Sequence, residues 1–310
     1  MKQRVVSLSD FGPAENMSLI ETDIPTPGIG QIVVKNNAIG LNYLDTYFRS
    51  GLYPWPNNND IKIPGSEGVG YIHAVGSDVS DFKEGDRVLA VPTSDNGLQE
   101  YLTLSEDRFI HLPDWGDYED WVMCQHSGTV LYASKKWGNP VGKNIAILGQ
   151  GGIGISFAMI AAMQGAKSII CIDYNQFRLD YSKEFGSTHF INASNENVEE
   201  KIAEITNDEM ADIVVEATGS PSGLNECIDL VKKKGKIIVF GLTQDELVPI
   251  NQNKFLSKNC LIESTLIMGT DTPLKEIKEM VEMKKRGILD PGKLKTHEMG
   301  WENVQEAFDM

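Results

Sequence analysis

The chain of 310 residues, 41% hydrophobic and 23% charged, is long enough to bury a large core and to form two domains. Its formal charge of -16 opposes nucleic acid and anionic lipid as partners, so any phosphate it binds must be held by local backbone geometry. No apolar run reaches the roughly 18 residues of a membrane span, the N-terminus MKQRVVSLSDFGP lacks the apolar core of a signal peptide, and Cys124, Cys171, Cys227 and Cys260 form no CxxC pair. The composition therefore reads as a cytoplasmic protein with reduced thiols, without a disulfide framework or zinc ribbon.

In chain order, the first 125 residues carry short β-type runs: QIVVKNNAIGLN, GVGYIHAVG, DRVLAVP and LQEYLTL. Pro25, Pro27, Gly28, Gly30, Pro64, Gly65 and Gly85 punctuate them, which predicts an antiparallel, barrel-like β domain. From residue 126 the rhythm changes. The apolar runs NIAIL, SIICI, DIVVEA and KIIVF alternate with helical periods, the pattern of parallel βαβ units whose strands are buried on both faces. The helical runs IGISFAMIAAMQ and RLDYSKEF stop at Gly165 and Gly186, and TPLKEIKEMVEMKKRG sets Leu274, Ile277 and Val281 on one face before Gly287.

The glycine run GQGGIG, residues 149 to 154, directly follows the strand NIAIL and opens the helix IGISFAMIAAMQ. That context makes it a dinucleotide fingerprint. Gly149 allows the tight turn, Gly151 lets a pyrophosphate approach the backbone, and Gly154 lets the helix pack on the sheet. Gly152 and Ile153 offer main-chain amides at the helix N-terminus, where the helix dipole favours an anion. SIICI ends at Asp173, 24 residues after Gly149, where an acid accepts from the ribose hydroxyls and repels a 2′-phosphate. NAD(H) is therefore expected in preference to NADP(H).

The stretch AIGLNYLDTYFRSGLYP, with IPGSEGVGYIHAVG and DFKEGDRVLA, resembles the zinc-free quinone oxidoreductase branch of the medium-chain dehydrogenase/reductase superfamily. GQGGIG, CIDYNQFRL and DIVVEATG are more similar to its NAD-linked alcohol and polyol dehydrogenases. The resemblance covers almost the whole chain. It implies an α/β protein with a GroES-like β-barrel catalytic domain over residues 1–125 and 268–310. Between them, over 126–267, it implies a Rossmann doubly wound parallel-sheet cofactor domain, with the nicotinamide and a small-molecule substrate meeting in a cleft and a homodimer joined by sheet edges.

Zinc members place a metal-binding Cys where this chain has Asn42 and a His where it has Ser66; Glu67 remains. A catalytic zinc needs about three Cys, His or carboxylate ligands, which an amide and a hydroxyl do not replace. No metal is expected, and residues 86 to 110 also lack the cysteines of the family's structural zinc lobe. A rearranged site built from Glu67, Cys124 and His126 is the alternative. The hydroxyl that relays the alcohol proton in the family is here Leu44. Reduction of an enone or quinone needs neither part, because hydrogen-bond donors can stabilise the developing enolate.

Residue by residue, the resemblance places Thr129, Gly241, Leu242, Ile267 and Met268 beside the nicotinamide, the last two on the next strand. It places Arg178, Thr218 and Gly219 with Asp173 around the adenosine. In the catalytic half, Asn42 is a candidate to polarise a carbonyl, Asp45 to orient backbone or Arg49, and His126, beside Gln125, to act as general acid. Tyr43, Tyr53, Trp55 and Glu67 are further candidates to line the substrate. Family members continue past the helix that WENVQEAF resembles into a last strand bearing a basic residue for the pyrophosphate, which has no counterpart before Met310. The expected function is zinc-independent, NAD(H)-linked hydride transfer to an enone, quinone or related carbonyl. An alcohol or polyol dehydrogenase, and a nucleotide-binding protein with little catalysis, are the alternatives.

Overall fold

The two rhythms of the sequence correspond to two compact units, 1–126 with 277–285 and 290–310, and 127–276 with 286–289. The computed structural model describes residues 1–52, 61–92 and 96–310. Tyr53 and Trp55, expected to line the substrate, lie outside the described residues.

In the first unit, strands β1 (Lys2–Leu8) and β2 (Met17–Asp23) form an antiparallel ribbon. Strand β3 (Gln31–Ala38) leads into helix α1 (Tyr43–Ser50). Then follow β4 (Gly68–Val75), β5 (Arg87–Ala90), β6 (Tyr101–Ser105) and β7 (Phe109–His111). These make an antiparallel five-stranded sheet in the order β6-β3-β4-β5-β7. Register shifts at Val33/Val34 and Asn36/Ala38 introduce irregularities of the kind that turn barrel corners. Isolated bridges from Val5 to Gln99 and from Leu8 to Lys62 attach the ribbon. Alternation along the strands turns Ile32, Val34, Ile72, Val88, Leu102 and Phe109 into one apolar core.

Helix α2 (Tyr118–Ser134) contains the boundary between the units. In the second unit, β8 (Asn144–Leu148), α3 (Gly152–Met163), β9 (Ser168–Asp173), α4 (Gln176–Ser182), β10 (His189–Asn192) and α5 (Val198–Thr206) follow in strict alternation. So do β11 (Ala211–Glu216), α6 (Gly223–Leu230), β12 (Val231–Val239), α7 (Gln252–Lys258) and β13 (Leu261–Ser264). The chain closes with α8 (Lys275–Lys285) and α9 (Val304–Asp309).

The six strands are parallel in the order β10-β9-β8-β11-β12-β13. Every residue of β8 and β9 is buried, as strands covered on both faces require. Order reverses at β8, with β9 and β10 on one side and β11 to β13 on the other, which is the doubly wound Rossmann arrangement. Residues 268–276, expected with the β domain, belong to the α/β unit, where Glu276 pairs with Lys135 at 2.9 Å. Among the described residues, no helix is long and apolar enough to cross a membrane.

Candidate active site

The reversal of strand order brings the loops that leave β8 and β11 side by side at the carboxyl edge of the parallel sheet, the position where open α/β sheets bind ligands. The glycine run stands there. The Gly149 N–H donates to Ile172 O at 2.9 Å, and the Ala217 N–H to Leu148 O at 3.0 Å. Gly149 has φ +89°, and a Cβ on it would lie 2.9 Å from Ala217 O, so the turn needs glycine twice over. A Cβ on Gly154 would lie 1.8 Å from Gly149 O, which fixes helix α3 directly on the turn. Gly151 differs from both: nothing lies within 4 Å of where its Cβ would be. It is the N-cap of α3, no side chain caps that end, and the amides of Gly152 and Ile153 begin the helix behind it. Open space beside uncapped amides fits a pyrophosphate.

Asp173 ties the tip of β9 to this loop. Its Oδ2 accepts from the Gln150 N–H at 2.7 Å and its Oδ1 from the Asn175 N–H at 2.8 Å. Each oxygen keeps acceptor capacity for a sugar hydroxyl. Arg178 Nη1 stands 3.8 Å from Oδ2 with its side chain largely exposed.

Two residues that sequence reasoning missed support the loops. The buried Gln150 amide donates to Ile147 O at 3.2 Å and Gly149 O at 3.0 Å, holding the turn from beneath. The buried Glu216, at the end of β11, accepts from the Thr218 N–H at 2.8 Å and the Gly219 N–H at 3.1 Å. An acid directly after the apolar stretch Ile213–Val215 was the available signal. Gly219 and Gly241 pass backbone to backbone, since a Cβ on Gly241 would lie 2.3 Å from Gly219 N. Leu242 is partly exposed beside them. Ile267 and Met268 were expected on a strand, but β13 ends at Ser264 and they form a 3-10 turn, Ile267–Gly269, with Ile267 buried. Thr129 lies half-buried on α2, and that helix is joined to α3 through Ser127 and Ser156, whose hydroxyls are 3.1 Å apart.

In the first unit, NYLD starts helix α1. Asn42 is its N-cap, and Asp45 Oδ2 accepts from the Asn42 N–H at 2.7 Å, satisfying one of the orphan donors of the helix end. Asn42 Nδ2 donates to Ser66 Oγ at a long 3.5 Å. Asp45 and Glu67 are both fully buried. Room for Glu67 comes from Gly40, where a Cβ would lie 1.9 Å from Glu67 Oε1. Asp45 Oδ1 and Glu67 Oε2 are buried without a hydrogen-bond partner.

Burial pushes the Asp45 carboxyl up to about 7, against the pull of the Asn42 N–H. It pushes Glu67 up to about 8, helped by the nearby Asp45 charge and opposed by the Asn42 amide. Tyr43 is 71% exposed and stands apart from this pair, its ring edge-on to Tyr47 at 5.2 Å. Burial pushes the Cys124 thiol up to about 12 and His126 down to about 4. His126 is therefore uncharged at neutral pH and poorly matched to the general-acid role expected of it. Among the described residues, no group of three or more His, Cys, Asp or Glu could hold a metal ion, so Glu67, Cys124 and His126 do not assemble the rearranged site. At the two family ligand positions the chain presents the Asn42 amide and the Ser66 hydroxyl.

Two family descriptions divide the chain between them. The alcohol dehydrogenase GroES-like domain matches residues 28–132, and the zinc-binding dehydrogenase family matches 152–285. A quinone oxidoreductase of Pseudomonas aeruginosa is 30% identical over 87% of this chain and 80% of its own length. The chain belongs to the medium-chain dehydrogenase/reductase superfamily. Within it, a sorbitol dehydrogenase of Bacillus subtilis is 29% identical over 94% of this chain and 89% of its own. The crystal structure of a quinone oxidoreductase from Pseudomonas syringae superposes with a TM-score of 0.86 at 25% identity, covering 100% of this chain and 95% of that one. These medium-chain dehydrogenase/reductase homologues are oxidoreductases and dehydrogenases, and the family is enzymatic.

Proposed function

We propose that this protein is a zinc-independent, NAD(H)-linked oxidoreductase that reduces a small enone, quinone or related carbonyl compound. The observation that carries the reading is the donor set of the first unit: an amide at Asn42, a hydroxyl at Ser66 and a buried carboxyl pair at Asp45 and Glu67 suit holding protons and hydrogen bonds, not a soft metal ion.

When bound, a nicotinamide supplies hydride to the electron-poor carbon of the substrate. The chain's own residues do the rest. The amides of Gly152 and Ile153 hold the pyrophosphate in the space beside Gly151. Asp173 accepts from the ribose hydroxyls and disfavours a 2′-phosphate. Thr218, Gly219 and Arg178 border the adenosine, while Thr129, Gly241, Leu242, Ile267 and Met268 border the nicotinamide. Asn42 Nδ2 donates to the substrate oxygen as negative charge develops there, and the matching proton arrives from water.

The likeness to sorbitol dehydrogenase favours a second reading, oxidation of a polyol. Either activity is read as cytoplasmic, with all four cysteines free and buried. A homodimer would pair through strand β13, which has β12 on one side only. The deciding experiment is turnover by chelator-treated protein of known metal content. Oxidation of NADH with quinones or enones is the expected result. Reduction of NAD by sorbitol that is lost with the metal would overturn the first reading in favour of the second.

A further inference from the structure

One residue of the α/β unit reaches two loops at the carboxyl edge of the parallel sheet. Glu216, the last residue of β11, is buried, and its carboxyl group turns back under the loop that follows it. Its Oε1 accepts from the Thr218 N–H at 2.8 Å, from the Gly219 N–H at 3.1 Å and from the Thr218 hydroxyl. That hydroxyl oxygen accepts in turn from the Ser220 N–H at 2.9 Å, and Ser220 O accepts from the Gly223 N–H at 3.0 Å. A chain of hydrogen bonds therefore runs from the carboxyl group to the start of α6.

The second loop leaves β12. The main-chain O of Glu216 accepts from the Phe240 and Gly241 N–H groups at 3.0 Å each. The other carboxyl oxygen, Oε2, lies against Gly241, where a Cβ would stand 2.3 Å from it. Gly223 clears the space for Oε1, since a Cβ there would stand 2.7 Å away. Gly219, at φ +67°, passes so near the second loop that a Cβ on it would lie 2.3 Å from Leu242 O. These glycines leave a space that one carboxyl group fills, and the two loops meet beside it backbone to backbone. Satisfying buried N–H groups needs only the bonds at Oε1. The contact of Oε2 with Gly241 adds a second constraint, the spacing between the loops.

We propose that Glu216 is a positioning residue whose reach fixes the spacing between the Thr218–Gly219 turn and the Gly241–Leu242 turn, and so the distance between the two ends of a bound dinucleotide. The inference rests on the proposed function, in which the first turn borders the adenosine and the second the nicotinamide. Glu216 acts through the main chain of both turns. With the spacing preformed, docking of the adenosine end brings the nicotinamide end to a turn already in place, and the ordering cost is not incurred on binding.

Equilibrium titration of the whole protein with NADH, AMP and reduced nicotinamide mononucleotide tests it. The product of the two fragment dissociation constants, divided by the NADH dissociation constant, is the effective concentration of one end once the other is bound. In wild type it is expected to exceed about 10 mM, above the millimolar values of flexible linkage. A lower wild-type value overturns the inference, whether or not any variant folds.

Glu216→Asp keeps the carboxyl group but withdraws it by one methylene, and is expected to lower the effective concentration at least about tenfold. Glu216→Gln returns an acceptor oxygen to the Oε1 position and is expected to restore it to within about threefold of wild type. Equal losses of NADH and AMP affinity in Glu216→Asp, with the effective concentration unchanged, would mean support of the adenosine turn alone and overturn the positioning role. A Glu216→Gln protein that loses as much as Glu216→Asp overturns it too, because reach is the stated cause. Wild type that binds no NADH contradicts the proposed function, and the positioning role with it.

Discussion

Replacing Glu67 by Gln tests the buried carboxyl pair through stability. Burial raises the folded-state Glu67 carboxyl from 4.5 to about 8, while the unfolded chain releases its proton near the ordinary value. Between those values the folded protein binds one proton more than the unfolded chain, so stability declines as pH rises, by about 1.4 kcal/mol per pH unit. The slope counts protons and does not depend on the depth of the shift. Asp45, raised from 3.8 to about 7, adds a slope of the same sign in its own window. Both contributions are fully favourable below the unfolded values and are lost by about pH 8. Gln fills the same space and cannot ionise. Urea unfolding of wild type and Glu67→Gln at pH 6.5, 7.5 and 8.5 is therefore expected to show the variant gaining on wild type by about 1 kcal/mol per pH unit up to pH 8. Parallel slopes would refute the reasoning.

The cofactor edge makes further predictions. Gly151→Ala places its methyl in open space, so its melting temperature should match wild type while NADH affinity falls at least about tenfold by fluorescence titration. Gly154→Ala drives a methyl against Gly149 O and should melt lower, by the 1–3 kcal/mol typical of overpacking. Asp173→Ala should narrow the difference between NADH and NADPH in thermal stabilisation, and should also destabilise the free protein by about 1–3 kcal/mol because the Gln150 and Asn175 N–H groups lose their acceptor.

What could be read from the sequence follows the range of the forces involved. NIAIL became β8 residue for residue because a strand covered on both faces must be apolar throughout, and the helix after it began where its glycine N-cap stands. Asp173 was legible because its distance from Gly149 is set by one βαβ unit. Contacts between distant segments left no such signature. Glu67 lies 22 residues after Asp45, and neither NYLD nor GSEG announces that both acids would be buried together or that Gly40 would vacate the space for one of them. Glu216 and Gln150 support loops through hydrogen bonds whose partners are main-chain atoms, which a string of side chains does not display. Ile267 and Met268 were given to a strand by resemblance to the family, while the chain turns there through the Gly269 N–H to Leu266 O and the Thr270 N–H to Ile267 O.

The proposed function requires backbone amides at the start of α3 to grip a two-phosphate cofactor whose ribose Asp173 reads. Equilibrium titration of the metal-free protein with NADH and NADPH tests it most directly. Saturable binding of one NADH per chain is expected, tighter than NADPH by about tenfold or more, because a 2′-phosphate would face the Asp173 side chain. Absence of saturable binding, or equal affinity for the two, would contradict it.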